Sequence, residues 1–452
     1  MKKFNLLKYI LPATLSAVMI GSYSNVDGLF IGNALGDDGL AAVNIAWPIV
    51  AFITSVGAGL GIGGSIAVNG TRGKGDTEVA ERKKFTALLL LFAAGILTTA
   101  LCSALYIPVL KLLGATGEVF RYAENYSLVI SLGAAFQVVG IGLIMLLRGE
   151  GKTVSALIYS AVGLIAHVVF DALTVKKFGL YGVSGACVAA QAIVAALSLV
   201  TFLKKDKSRE TADTIETLSE TSSAKPRFSD RFPGVKEILK NSIAPFGVNF
   251  APSAALLFTN FFALAGGGTA AVSAYAVMSY VSYTFDYVYQ GVCDGIQPVL
   301  SYYEGARDEA GKKRSLRTVV IILSACSVAF IALTPLAIAF MPKVFATSAE
   351  AEAMMRTGFW IYAISYPFKA AARFGCSYFY SVGGVKIANA LTYTEALLVT
   401  PLALLSLSFA GINGVWAALP SAQIVMCLIL VVILIVRRHS AKRKSPTIGD
   451  NT

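Results

Sequence analysis

Charge is what this sequence has least of. Only 14% of its 452 residues are Asp, Glu, Lys or Arg, against about 25% in soluble domains, which leaves too little polar material for a water-facing surface. Long polar stretches are equally scarce: one runs from Lys204 to Arg231, rich in Lys, Glu, Ser and Thr. The six cysteines (Cys102, Cys187, Cys293, Cys326, Cys376, Cys427) stand singly inside apolar runs, a spacing that gives neither a disulfide framework nor a metal site. No Ser-His-Asp set, catalytic cysteine or metal cluster is visible, so neither an enzyme nor a resident cofactor is expected. Gly59-Leu-Gly61-Ile-Gly63-Gly64 matches G-x-G-x-x-G formally, yet it lies within an apolar span with no strand before it and reads as close helix packing. Gly151-Lys152-Thr153 resembles the end of a phosphate loop, but Leu146 stands where its first glycine belongs. No nucleotide partner is expected.

What is present is apolar sequence in lengths that cross a bilayer. Twelve spans are predicted, the first at 5–32 and the last at 412–436. The fold class expected is therefore all-α: a polytopic membrane protein with two six-helix lobes. The lobes are set at 1–204 and 236–437, joined by a cytosolic linker at 205–235 and followed by a basic tail at 438–452. Met1-Lys-Lys before an apolar run resembles a signal peptide, but no small-residue cleavage site follows, so it reads as an uncleaved first span. With the N-terminus inside, 30 of the 38 basic residues fall in inner segments and six in outer ones, Arg148 and Lys152 among the inner. That imbalance orients the chain with both termini cytoplasmic. It also explains the net charge of +12 without any nucleic acid. The expected location is the cell membrane, the expected state a monomer.

The halves repeat each other. Leu11-Pro12 corresponds to Ala244-Pro245, Gly73-Lys-Gly-Asp76 to Gly305-Ala-Arg-Asp308, Gly149-Glu-Gly-Lys152 to Gly383-Gly-Val-Lys386, and Tyr181-Gly-Val-Ser-Gly185 to Ala410-Gly-Ile-Asn-Gly414, at offsets between 229 and 234. Six spans per copy is an even number, so the copies are parallel, an arrangement common in alternating-access transporters.

Against this background a few polar residues stand out. Asp27 lies in the first span, where a carboxylate at mid-helix costs at least ~2.5 kcal/mol and needs a partner, a proton or a cation. Asp171 lies at matching depth in the fifth span, each about 8 Å inside the outer boundary at 1.5 Å per residue. His167 stands one turn before Asp171 on the same face. Together Asp27, Asp171 and His167 are the candidates for cation or proton coupling. The second half offers Asn260 and the 400–405 segment at the corresponding positions, none acidic. Span 8 carries a polar stripe, Ser279, Tyr283, Asp286, Gln290, Asp294 and Gln297, with Tyr287 and other aromatics around it. Aromatic faces beside a carboxylate suit a flat lipophilic cation. Asp286, Tyr283, Gln290, Asp294, Tyr287 and Asn260 are accordingly the substrate candidates. Arg373 and Glu395, with Asp294 and Lys369 nearby in depth, are expected to form a structural ion pair or an inner gate.

Asp27-Gly-Leu-Phe-Ile-Gly, followed by Gly39-Leu-Ala-Ala-Val-Asn-Ile-Ala-Trp-Pro48, resembles the multidrug and toxic compound extrusion (MATE) family. So do Gly295-Ile-Gln297-Pro298 ahead of Tyr303-Glu-Gly-Ala-Arg-Asp308, and Gly182-Val-Ser-Gly185-Ala186. The resemblance implies secondary active efflux of organic cations, driven by inward H⁺ or Na⁺, and roles for acids at positions 27 and 171. His167 stands where that pattern usually has Asn, and Ala190 where a Thr can help ligate Na⁺. Both departures favour H⁺ over Na⁺. The alternatives are a Na⁺-coupled drug antiporter and a lipid-linked saccharide flippase on a related two-lobe plan. The partners expected are organic cations and the lipid bilayer.

Overall fold

The computed structural model describes residues 4–203, 232–345 and 347–444. Most of the linker and residues 445–452 of the tail lie outside them. No strand occurs among the described residues. The helices run α1 (Leu7–Gly21), α2 (Tyr23–Gly73), α3 (Thr77–Leu112), α4 (Gly117–Leu132), α5 (Ala134–Gly149), α6 (Thr153–Phe178) and α7 (Leu180–Leu203). Then come α8 (Val235–Gly305), α9 (Glu309–Val344), α10 (Ala349–Ser381), α11 (Val385–Thr394), α12 (Thr400–Leu407) and α13 (Ile412–Lys444).

These elements resolve into twelve rods once the breaks are counted. Glycine supplies the sharp ones: α2 turns at Gly36, with φ of 63°, and α8 at Gly267 and Gly268, the latter also at 63°. α1 meets the first part of α2 across Ser22, α4 and α5 form one rod bent by 59°, and a π turn at Glu395–Val399 joins α11 to α12. Among the described residues, eight helices are long and apolar enough to cross a membrane singly, and the bent pair would make nine. The rods that fall short carry Asp27, Asp286 with Asp294, and Lys369 with Arg373.

Burial follows the pattern of a protein in lipid. Ile96, Leu97, Ile165, Leu173, Val328 and Leu428 are each more than 60% exposed, whereas Ser16, Ser131, His167, Asp171, Ser184 and Ser198 are fully buried. In water that exposure would forfeit ~1.5–3 kcal/mol per large side chain; in hydrocarbon it costs nothing, and the polar groups must find one another instead.

The repeat is a repeat of backbone. Left-handed turns pair at Gly36 and Gly268, Gly75 and Arg307, Gly151 and Gly383, and Gly179 and Gly411, each separated by 232 residues. Asp76 caps Val79 N at 3.0 Å and Asp308 caps Gly311 N at 2.8 Å, again 232 apart. Arg307, φ 53°, is the one non-glycine with positive φ among the described residues. The spacing of 232 moves the counterpart of Asp27 from Asn260 to Thr259, and makes Val399 and Ala403 the counterparts of His167 and Asp171.

Two compact units emerge from the packing. The first comprises Met1–Ala254, Tyr283–Val320 and Ser377–Asn389, and so takes in parts of both sequence halves. Its core includes Ile31, Ile53, Leu91, Tyr126, Ile130 and Leu143. The second comprises Ala255–Ser282, Ile321–Cys376 and Ala390–Thr452, around Tyr275 stacked on Trp416 at 6.0 Å with Met278 and Phe359.

Candidate functional site

Inside the first unit, α2 and α6 bring together the three coupling candidates. Asp27 Oδ1 lies 2.8 Å from His167 Nε2, and the same nitrogen lies 3.3 Å from Asp171 Oδ2. Asp27 is 4% exposed and the other two are fully buried. The one-turn spacing on α6 sets His167 and Asp171 side by side, as the sequence predicts. The short Asp27–His167 approach lacks hydrogen-bond alignment, and both oxygens of Asp171 lie buried without a hydrogen bond from the protein. From α4, Tyr126 donates its hydroxyl to Asp27 Oδ2 at 3.5 Å. The Tyr23 ring covers the imidazole at 4.8 Å, and Gly163 makes room for it: a Cβ there would stand 2.4 Å from Tyr23 Oη.

The electrostatics follow from counting. A protonated imidazole between two carboxylates leaves one negative charge uncompensated in a buried site, which is expensive unless a proton or another cation joins it. Ligand atoms of the three residues all lie within 4.8 Å of one another, so a single small cation can satisfy the cluster.

The polar stripe of α8 divides by task. Tyr283, Asp286, Tyr287 and Gln290 are part-exposed, and Gln290 donates to Asn249 Oδ1 at 2.8 Å. The Tyr287 ring lies over Gly21 at the α1–α2 break, where no Cβ would fit. Asp294 does not share this exposure. It is 6% exposed and paired at 3.2 Å with Nη1 of Arg148, itself 1% exposed. Arg148 also donates through Nη2 to Ser16 at 2.7 Å, and Ser16 is 2.7 Å from Ser160. Two expectations change as a result. Arg148 is a buried partner and not an inner-loop charge, and Asp294 has it as an ion-pair partner that the sequence did not suggest. Every residue of α5 from Gln137 to Gly149 is buried. That helix is apolar all round, the mark of a helix enclosed by others, and this signal could have flagged its terminal arginine. Tyr126 and Tyr23 carried no comparable signal.

The second unit holds Asn260, Arg373 and Glu395. Glu395 opens the π turn and accepts a hydrogen bond from Gln423 at 2.6 Å. The structure thus assembles the coupling candidates closely, gathers Tyr283, Asp286, Tyr287 and Gln290 on one helix, and leaves Asn260 in the other unit.

Comparison with known proteins agrees with this architecture. The MatE family profile matches residues 12–173 and 246–405. The multidrug export protein MepA of Staphylococcus saprophyticus is 26% identical over 337 residues, covering 72% of this chain and 70% of its own. The probable multidrug resistance protein YoeA of Bacillus subtilis is 26% identical over 205 residues, 44% of each chain. Among solved structures, a multidrug resistance MATE transporter in an outward-facing conformation superposes with a TM-score of 0.86 at 20% identity, covering 98% of this chain and 100% of its own. A MOP superfamily transporter from Pyrococcus furiosus gives 0.86 at 19% identity over the same shares. Such neighbours have twelve helices in two lobes.

Proposed function

Because the chain belongs to the MatE family, we propose that it is a multidrug efflux transporter of the cell membrane, exporting lipophilic organic cations by alternating access in exchange for protons. The names of its relatives support drug export, and the bias of basic residues supports cytoplasmic termini. The observation that carries proton coupling is the buried cluster of Asp27, His167 and Asp171. Sodium is the weaker reading, since hard cations prefer oxygen ligands and the imidazole nitrogen stands between the two carboxylates. Tyr283, Asp286 and Tyr287 supply aromatic faces and a carboxylate for a cationic drug. A lipid-linked saccharide flippase would need cations facing pyrophosphate; Lys369 and Arg373 are the candidates, and the span acids Asp27, Asp171, Asp286 and Asp294 outnumber them.

In this cycle a proton from outside neutralises the cluster, which makes its burial cheap and favours the state that has released drug. Deprotonation toward the cytoplasm restores the charge and readies the cavity for the next cation. One charge crossing ~100 mV supplies about 2.3 kcal/mol, enough for roughly 50-fold accumulation. The test is efflux of an ethidium-like dye from proteoliposomes under an imposed pH gradient. Asp27→Asn is expected to abolish it while leaving insertion and folding intact. Undiminished efflux by that variant, or wild-type efflux that follows a Na⁺ gradient at clamped pH and voltage, would overturn the proton reading.

A further inference from the structure

A cavity of about 630 Å³ opens in the first unit where the C-terminal end of α2, both ends of α8 and the α10–α11 turn meet. Its volume falls in the range of ligand sites. We propose that it binds a phosphate-bearing anion, held by Lys74, Lys236, Lys240 and Arg307.

The charge balance of the lining carries the proposal. Only two carboxylates line the cavity, Glu237 and Glu304, and each is already held from elsewhere. Lys83 Nζ lies 2.6 Å from Glu237, and Lys312 Nζ lies 2.5 Å from Glu304. Among the described residues, the four lining cations have no such partner. Asn241, 6% exposed, adds a neutral donor to the wall. Lysines act as point charges for phosphate and arginine as a planar fork, so the set matches that ligand chemistry.

Arg307 gives an independent reason to read the charge as purposeful. Its repeat counterpart is Gly75, at φ 91°, and glycine makes that turn without strain. The second copy instead holds an arginine at φ 53°, in a backbone region that L-residues avoid, at the rim of the cavity. The floor is close-packed backbone: a Cβ on Gly305 would stand 2.0 Å from the Gly70 carbonyl oxygen. Ile66, Val382 and Val385 complete an apolar wall, which suits the organic part of an amphiphile as well as a soluble anion. A lipid headgroup and a free phosphate compound share the chemistry recognised here.

The experiment separates them. Full-length protein in neutral detergent is titrated with inorganic pyrophosphate, followed by its unfolding temperature. In parallel, nanodiscs of phosphatidylglycerol or phosphatidylcholine are compared for lipid retained on release, by native mass spectrometry. Lys236→Gln/Lys240→Gln/Arg307→Gly is expected to weaken anion binding at least tenfold. Lys313→Gln/Arg314→Gln/Arg317→Gln, which removes equal charge from exposed positions on α9, should leave it unchanged. Retention of phosphatidylglycerol alone assigns a headgroup, and pyrophosphate binding alone a soluble ligand. Should the triple variant fail to fold, Arg307→Gly alone, whose backbone is unstrained, should show a smaller loss in the same direction. Binding of neither probe by the wild type, or equal loss in the α9 control, overturns the proposal.

Discussion

Arg148 and Asp294 show how strongly one residue's surroundings decide its cost. Removing one member of a buried pair strands the other, at about 3–5 kcal/mol, whereas replacing both with apolar groups is often nearly neutral. Arg148→Met should therefore lower the unfolding temperature of the purified protein sharply, and Arg148→Met/Asp294→Leu should recover most of the loss. A double variant as unstable as the single would show that the ion pair is not what the arginine serves. Within the coupling cluster, His167→Asn leaves two carboxylates without the imidazole wedge. Dye efflux by this variant is expected to acquire a response to Na⁺ gradients that the wild type lacks; an unchanged ion preference would remove His167 from the selectivity argument. Asp27, Asp171 and His167 were legible in the sequence because carboxylates are rare in apolar runs and because i and i+4 share a helix face. Arg148 was not, because a charge beside glycines at a span end looks the same whether it faces water or a buried acid from another helix.

At the scale of elements, close approach depends on glycine. Gly163 lets α6 come near enough to α2 for Tyr23 to cover His167, with Cβ space blocked at 2.4 Å by Tyr23 Oη and at 2.5 Å by Val194. Gly163→Ala should cost about 1–3 kcal/mol by overpacking and reduce dye efflux. Tyr23→Phe, which removes the nearer obstacle, should restore part of both; no recovery would mean that Val194 sets the limit. The twelve rods were legible from apolar length. So were the breaks at Gly36 and Gly268, which fall between predicted spans; Ser22 interrupts a helix that pattern alone reads as continuous, and a π turn at Glu395 leaves no mark in composition.

The whole molecule inherits a constraint from its packing. The first unit takes in residues 283–320 and 377–389 from the second sequence half, so the sequence halves are expected to fold only together. Residues 1–203 and 232–452 expressed as two chains should be recovered together when either is tagged, and each alone should aggregate or be degraded. A first half that purifies alone as a stable, monodisperse species would contradict this. The repeat was visible in sequence to within a few residues; the paired left-handed turns fix it at 232.

Those turns also bear on ion economy. Duplication copied the frame faithfully but not the three buried titratable groups: Thr259, Val399 and Ala403 occupy the places of Asp27, His167 and Asp171, and none of them exchanges a proton near neutral pH. Under the proposed antiport, the number of protons moved per drug is then set by one copy. On that reading, doubling the scaffold did not double the stoichiometry.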